Sequence, residues 1–155
     1  MKSRLSGGML AAAIALPALS GAAWADDFTC SNATLQGQYS FGVINYNAPQ
    51  IHVALGWKYF DGNGNLVQHD YRGNTSPVAL SGEETGTYQV SSDCSGTLTT
   101  QVAGGTVTVL FVISDGGRHI HEVVASFIPA GSIQSVPVQT SADDWKVAPE
   151  QDQQQ

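Results

Sequence analysis

From residue 35 onward, apolar and polar positions alternate in short runs separated by turns rich in glycine, asparagine and aspartate. A period of two marks a strand with one buried face, because successive side chains point to opposite sides. Residues 35–45 set Leu35, Tyr39, Phe41 and Val43 against Gln36, Gln38 and Ser40. Residues 51–60 set Ile51, Val53, Leu55, Trp57 and Tyr59 against His52, Ala54, Gly56 and Lys58, so the first of these sets is expected to face the core. Further strands fit 64–72, 77–80, 85–91, 96–102, 106–114 and 118–127, with a closing strand near 132–139. Asp61-Gly62-Asn63-Gly64, Ser81-Gly82, Ser95-Gly96, Gly104-Gly105 and Asp115-Gly116-Gly117 supply tight turns, which join antiparallel neighbours. A meander of this kind has two exposed edges, and closure removes both at once. The expected fold is therefore all-β, an up-and-down antiparallel barrel of about eight strands, in preference to a sandwich.

The ends of the chain read differently. Lys2 and Arg4 precede an apolar stretch from Met9 to about Leu19, followed by Ser20, Gly21, Ala22 and Ala23. A basic end, a short apolar core and a small-x-small site, here Ala23-Trp24-Ala25, form the pattern of a secretory signal peptide over residues 1–25. The stretch is shorter than the roughly 20 residues needed to cross a bilayer, so no membrane anchor is expected and the location is secreted or periplasmic. Residues 26–140 then form the barrel domain. Residues 141–155, with Asp143-Asp144 and Gln153-Gln154-Gln155, lack periodicity and read as a disordered acidic, Gln-rich tail.

Charge narrows the partners. The chain carries a formal −7, and loss of residues 1–25 takes away Lys2 and Arg4 but no acid, leaving −9. Such a surface repels phosphate backbones, and Lys58, Arg72, Arg118 and Lys146 are scattered, so nucleic acid and anionic membranes are not expected partners. Two cysteines, Cys30 and Cys94, form an even count in an exported chain, which argues for a disulfide. The competing reading, two free thiols in a metal or redox site, lacks a Cys-x-x-Cys pattern or a histidine at ligand spacing.

Four segments together resemble a known group. They are Cys30-x-x-Ala33-Thr34-Leu35-x-Gly37-x-Tyr39-x-Phe41, Phe60-Asp61-Gly62-x-Gly64-Asn65, Gly86-Thr87-Tyr88-x-Val90-x-x-x-Cys94-x-Gly96-Thr97 and Phe111-x-Ile113-x-Asp115-Gly116-Gly117. They are similar to exported bacterial domains of uncharacterised function that are likened to allene-oxide-cyclase-like barrels, themselves lipocalin-like in shape. The resemblance covers roughly residues 30–127 and implies a barrel and a Cys30–Cys94 bridge. It carries over no catalytic residue, because none of the cyclase's catalytic residues is placed position by position on this sequence, and barrels of this shape host enzymes and carriers alike.

Candidate chemistry is sparse. His119 and His121 share a strand face and could reach one metal, with His69 or His52 as a third ligand. Nothing in the sequence places that third ligand, and two solvent-facing polar side chains are the preferred reading, so no metal and no cofactor are expected. Asp61-Gly62-Asn63-Gly64-Asn65 lacks the glycine and the bidentate acid of a calcium loop, having Leu66 and Arg72 there, and reads as a hairpin turn. There is no Gly-x-Ser-x-Gly elbow. Glu83-Glu84 and Asp143-Asp144 read as solvated, which leaves Asp70 and Glu122, inside predicted strands, as the acids to watch. An aromatic stripe of Tyr39, Phe41, Trp57, Tyr59, Tyr88 and Phe111 is the candidate ligand-binding set. These observations point first to an exported, non-enzymatic barrel that binds a small, mainly apolar molecule. An isomerase or cyclase working inside the barrel and a surface-interaction module with a packed core are the alternatives. The enzyme would need Asp70, Glu122 or His121 inside.

Overall fold

A computed structural model describes residues 29–45, 52–72 and 80–147. The signal segment 1–25, most of the strand expected at 77–80 and the end of the expected tail lie outside the described residues. The elements run β1 Gln36–Asn45, β2 His52–Asp61, β3 Asn65–Arg72, β4 Glu84–Val90, β5 Ser95–Val102, β6 Gly105–Ser114, β7 His119–Pro129 and β8 Thr140–Lys146, with short 3-10 turns at Asn32–Thr34 and Asp115–Gly117. Each strand pairs antiparallel with the next, and β8 pairs back onto β1, so the sheet is a closed up-and-down barrel. Turn chemistry fixes the hairpins. Asp61 Oδ1 accepts the backbone N–H groups of Asn63 and Asn65 at 2.7 and 3.0 Å, folding the β2–β3 connection as an Asx turn.

The closing strand is not where the pattern put it. Residues 132–139 form a loop with an isolated Phe127–Val136 bridge to the sheet, and the strand that closes the barrel is Thr140–Lys146. It lies within the segment expected to be a disordered tail. Ala142 and Asp144 face inward while Ser141, Asp143 and Trp145 face out, a polarity no one-face-buried pattern would flag. Pairing to both β1 and β7 supplies the order that local propensity does not.

The faces of β2 are also the reverse of expectation. Directly paired residues share a face, and Tyr39, wholly buried, pairs with Lys58. Lys58 and Phe60 therefore point inward, whereas Leu55 and Tyr59 are about half exposed on the outer wall, and Val53, similarly exposed, also borders the interior at the strand's start. Trp57 shares that outer face, with its ring 4.3 Å from that of His69.

One end of the barrel is filled. Leu35, Tyr39, Phe60, Leu66, Tyr88, Leu98, Phe111, Ile113 and Ile120 form a buried cluster, with the Phe60 ring packed edge-on between Tyr39 and Tyr88 at 5.3 and 5.0 Å. The Asn32–Leu35 turn seals this end. The Tyr88 hydroxyl donates to the carbonyls of Leu35 and Asn32 at 2.9 and 3.0 Å, the Asn32 side chain accepts the Val90 N–H at 2.8 Å, and the Tyr39 hydroxyl donates to the Gly117 carbonyl. The Cys30–Cys94 disulfide, Cα atoms 4.9 Å apart, ties this segment to the β4–β5 turn. Gly96 makes room for Phe111, since a Cβ there would lie 2.2 Å from the ring.

Candidate functional site

The other end of the barrel is hollow. Toward it the inward positions become small or polar, with Ala54 on β2, Gln68 and Asp70 on β3, Thr100 on β5 and Ala142 on β8. They leave a cavity of about 510 Å³ whose walls are mainly Val43, Val102, Val107, Val109, Val124 and Val138, with Phe41 and Phe127. Phe127 reaches the interior because β7 carries a bulge. Thr108 pairs with Ser126 but Val109 with Val124, so Ala125 is the extra residue and the inward phase changes from even to odd positions.

Against this apolar wall stands a buried ionic group. Lys58 Nζ lies 2.5 Å from Glu122 Oε2 and 2.9 Å from Asp144 Oδ2, and all three side chains are at most 5 % exposed. Strands β2, β7 and β8 each contribute one member. Burial alone would pull the Lys58 ammonium down, but the two carboxylates facing it outweigh that and raise it above its ordinary value. Burial pushes Glu122 up from 4.5 to about 7, only partly opposed by Lys58 and reinforced by Asp144. Burial raises Asp144 too, again against the pull of Lys58. One ammonium facing two carboxylates is net negative when fully ionised, and a low-dielectric interior favours taking up one proton to neutralise the group. A second cluster sits on β3 and β4. The Arg72 guanidinium holds Asp70 at 3.2 Å and also contacts Glu84, which accepts from Gln68 Nε2 at 2.9 Å.

Among the described residues, two cavity-lining hydroxyls, Thr100 Oγ1 and Thr140 Oγ1, are buried without a protein partner, whereas the Glu122 and Asp144 carboxyls, each with a second buried oxygen, hydrogen-bond to one another when one of them is protonated. Buried polar groups are normally paired, and a side-chain rotation would turn the Thr100 or Thr140 hydroxyl toward a molecule in the cavity. The cavity lies within the range of about 300–1,000 Å³ typical of small-molecule sites, and an apolar wall with a few converging polar groups is their usual chemistry. A carboxyl near 7 can also give or take a proton at neutral pH.

The aromatic stripe divides between three places. Phe41 lines the cavity, with Lys58 Nζ 4.7 Å from its ring centre. Tyr39, Tyr88 and Phe111 belong to the packed end, and Trp57 and Tyr59 are on the outer wall. Asp70 and Glu122 point inward, and His121 does not. The acids read as solvated include two that are buried, Glu84 at 4 % exposure and Asp144 at 0 %. Glu84 opens β4 opposite Gln68, and Asp144 is covered by closure of β8. Lys58 had a signal in the sequence. It is in phase with Ala54, Gly56 and Phe60, and small residues sharing a strand face with one charge mark a face that lines a space.

No protein-family model and no curated protein matches the chain. Among solved structures, the barrel is similar to an S-type phycobiliprotein lyase from Guillardia theta, with a TM-score of 0.55 and 7 % identity over 80 % of this chain and 97 % of that one. At that identity the likeness is one of fold.

The raised Glu122 carboxyl predicts a pH dependence. The folded state favours the protonated form, so its stabilising contribution is complete below about 4.5 and is lost as pH rises through about 7. A shift of this size corresponds to a loss on the order of a few kcal/mol. Thermal melts between these pH values should show the barrel weakening as pH rises, and Glu122→Gln should flatten that slope. Parallel profiles for the two proteins would mean that Glu122 titrates normally.

Proposed function

We propose that the barrel binds one small molecule with a mainly apolar body and a neutral or cationic hydrogen-bonding head, inserted head first toward Glu122. The observation that carries this is the valine-walled cavity with the polar residues Glu122, Thr100 and Thr140 on its lining. Among the described residues the charges along the interior are Lys58 against Glu122 and Asp144, all buried, and a partly exposed Arg72 against buried Asp70 and Glu84. Acids outnumber bases, which disfavours an anionic head such as a carboxylate. Of the aromatic set, Phe41 is the member assigned to the ligand's body. The barrel likeness to a phycobiliprotein lyase supports the architecture of a ligand-holding barrel. The Cys30–Cys94 bridge fits export to an oxidising compartment after removal of residues 1–25.

Displacement of a neutral apolar dye tests this reading. N-phenyl-1-naphthylamine should bind saturably at one site, and Val124→Phe, which fills the cavity, should weaken it by about tenfold or more. Decanol should displace the dye at lower concentration than decanoate, and Glu122→Gln should narrow that difference. No saturable binding, or binding unaffected by Val124→Phe, would overturn the proposal.

A second reading has its own observation. Glu122, held near 7 and on the cavity lining, is a suitable general acid or base for an isomerase or cyclase. Turnover of a bound ligand that disappears in Glu122→Gln while binding persists would favour this reading over passive carriage.

A further inference from the structure

The outer wall of β7 and β8 carries a group independent of the cavity. His119 and His121 alternate with buried Ile120 and Glu122 and so share the outer face of β7. Across the β7–β8 pairing, His121 stands opposite Asp143 and His119 opposite Trp145. Asp143 Oδ1 lies 2.8 Å from His121 Nδ1 and 3.2 Å from His119 Nε2, and the three donor atoms all fall within 4.8 Å of one another.

We propose that His119, His121 and Asp143 form a surface site for a divalent transition-metal ion of the zinc class, with three protein donors and at least one position open to water or an outside donor. Donors about 2.0–2.1 Å from a tetrahedral ion stand about 3.3 Å apart, a spacing these atoms reach with small side-chain rotations. Both imidazoles are already held. His119 stacks on Trp145 at 3.7 Å and 14°, and the remaining ring nitrogen of His121 lies 3.5 Å from Ser114 Oγ, a partner able to orient the ring. All three residues stand on paired strands rather than loops, so little ordering is required on binding. Two imidazoles and one carboxylate select zinc, copper or nickel over magnesium and calcium, which prefer all-oxygen sites. The third ligand comes from β8. His69, on β3, takes no part in this site, which differs from the third ligand considered from sequence.

The test uses the chain expressed without a histidine tag. Calorimetric titration with Zn²⁺ should give one equivalent bound with a micromolar or tighter dissociation constant, unchanged by millimolar Mg²⁺ or Ca²⁺. His121→Ala and Asp143→Asn should each weaken it by about tenfold or more, whereas His69→Ala should leave it unchanged. In the wild-type protein Zn²⁺ should raise the melting temperature, and Cu²⁺ should quench a tryptophan signal that Trp145→Phe removes. These side chains lie outside the cavity, so dye binding in each variant checks that the barrel is intact. Undetectable Zn²⁺ binding, or equal affinity in His121→Ala and Asp143→Asn, would overturn the site, as would its loss in His69→Ala.

Discussion

Replacing Lys58 by Met should destabilise the barrel at pH 8 by about 3–5 kcal/mol, the usual effect of removing one partner from a buried ion pair. For a domain of this size that is a fall of about ten to twenty degrees in melting temperature. Met keeps most of the side-chain volume and the contact with Phe41, so little of the loss would come from packing. It arises because Glu122 and Asp144 would stay at most 4 % exposed with no ammonium to face. Protonating both carboxyls relieves the repulsion, and the deficit should shrink as pH is lowered toward 4. Making the whole group apolar, with Lys58→Met, Glu122→Met and Asp144→Leu together, should recover most of the stability, since well-packed apolar residues commonly replace a buried ionic group without loss. A Lys58→Met protein melting within a few degrees of the wild type at pH 8 would show that the group is solvated and that its pairing is of little consequence.

Reduction of the Cys30–Cys94 bridge should have an effect of similar size. It spans a separation of 64 residues, for which the chain-entropy description gives about 4 kcal/mol, and a melting temperature lower by well over ten degrees. The loss should also be local. Cys30 anchors the Asn32–Leu35 turn that caps the packed end, so reduction should free the Tyr88 hydroxyl and the Val90 N–H from their partners there before the rest of the sheet opens. Hydrogen exchange at Val90 should accelerate more than at Val109, which lies deep in β6. Titratable thiols in the native, unreduced protein, or a melting curve unchanged by reductant, would contradict the bridge's role.

The hollow end accounts for why polar residues occupy positions that strand alternation reserves for apolar ones. A filled barrel of this strand number would need bulky side chains at every inward position. Here Ala54, Thr100 and Ala142 leave space, and the charges beside it are tied to one another across β2, β7 and β8, and across β3 and β4.

What the sequence by itself determined is local. The alternation of β1 and β3 through β7, the Asx turn at Asp61 and the pairing of two cysteines were legible because each depends on residues close in the chain or on a choice with one outcome. The tertiary structure decided three other things. It placed β2 with Lys58 inward, because Val53, Leu55 and Tyr59 suit either face and only the register with Tyr39 chooses between them. It made a strand of Thr140–Lys146, whose acidic run has no intrinsic reason to be one, by offering it β1 and β7 as partners. And it brought Lys58, Glu122 and Asp144 together from three strands separated by 64 and 86 positions, as it brought Asp143 to His119 and His121. A side chain's own neighbours in sequence set the period of a strand, but which face is inside, and which charges meet there, depends on what the closed sheet lays beside it.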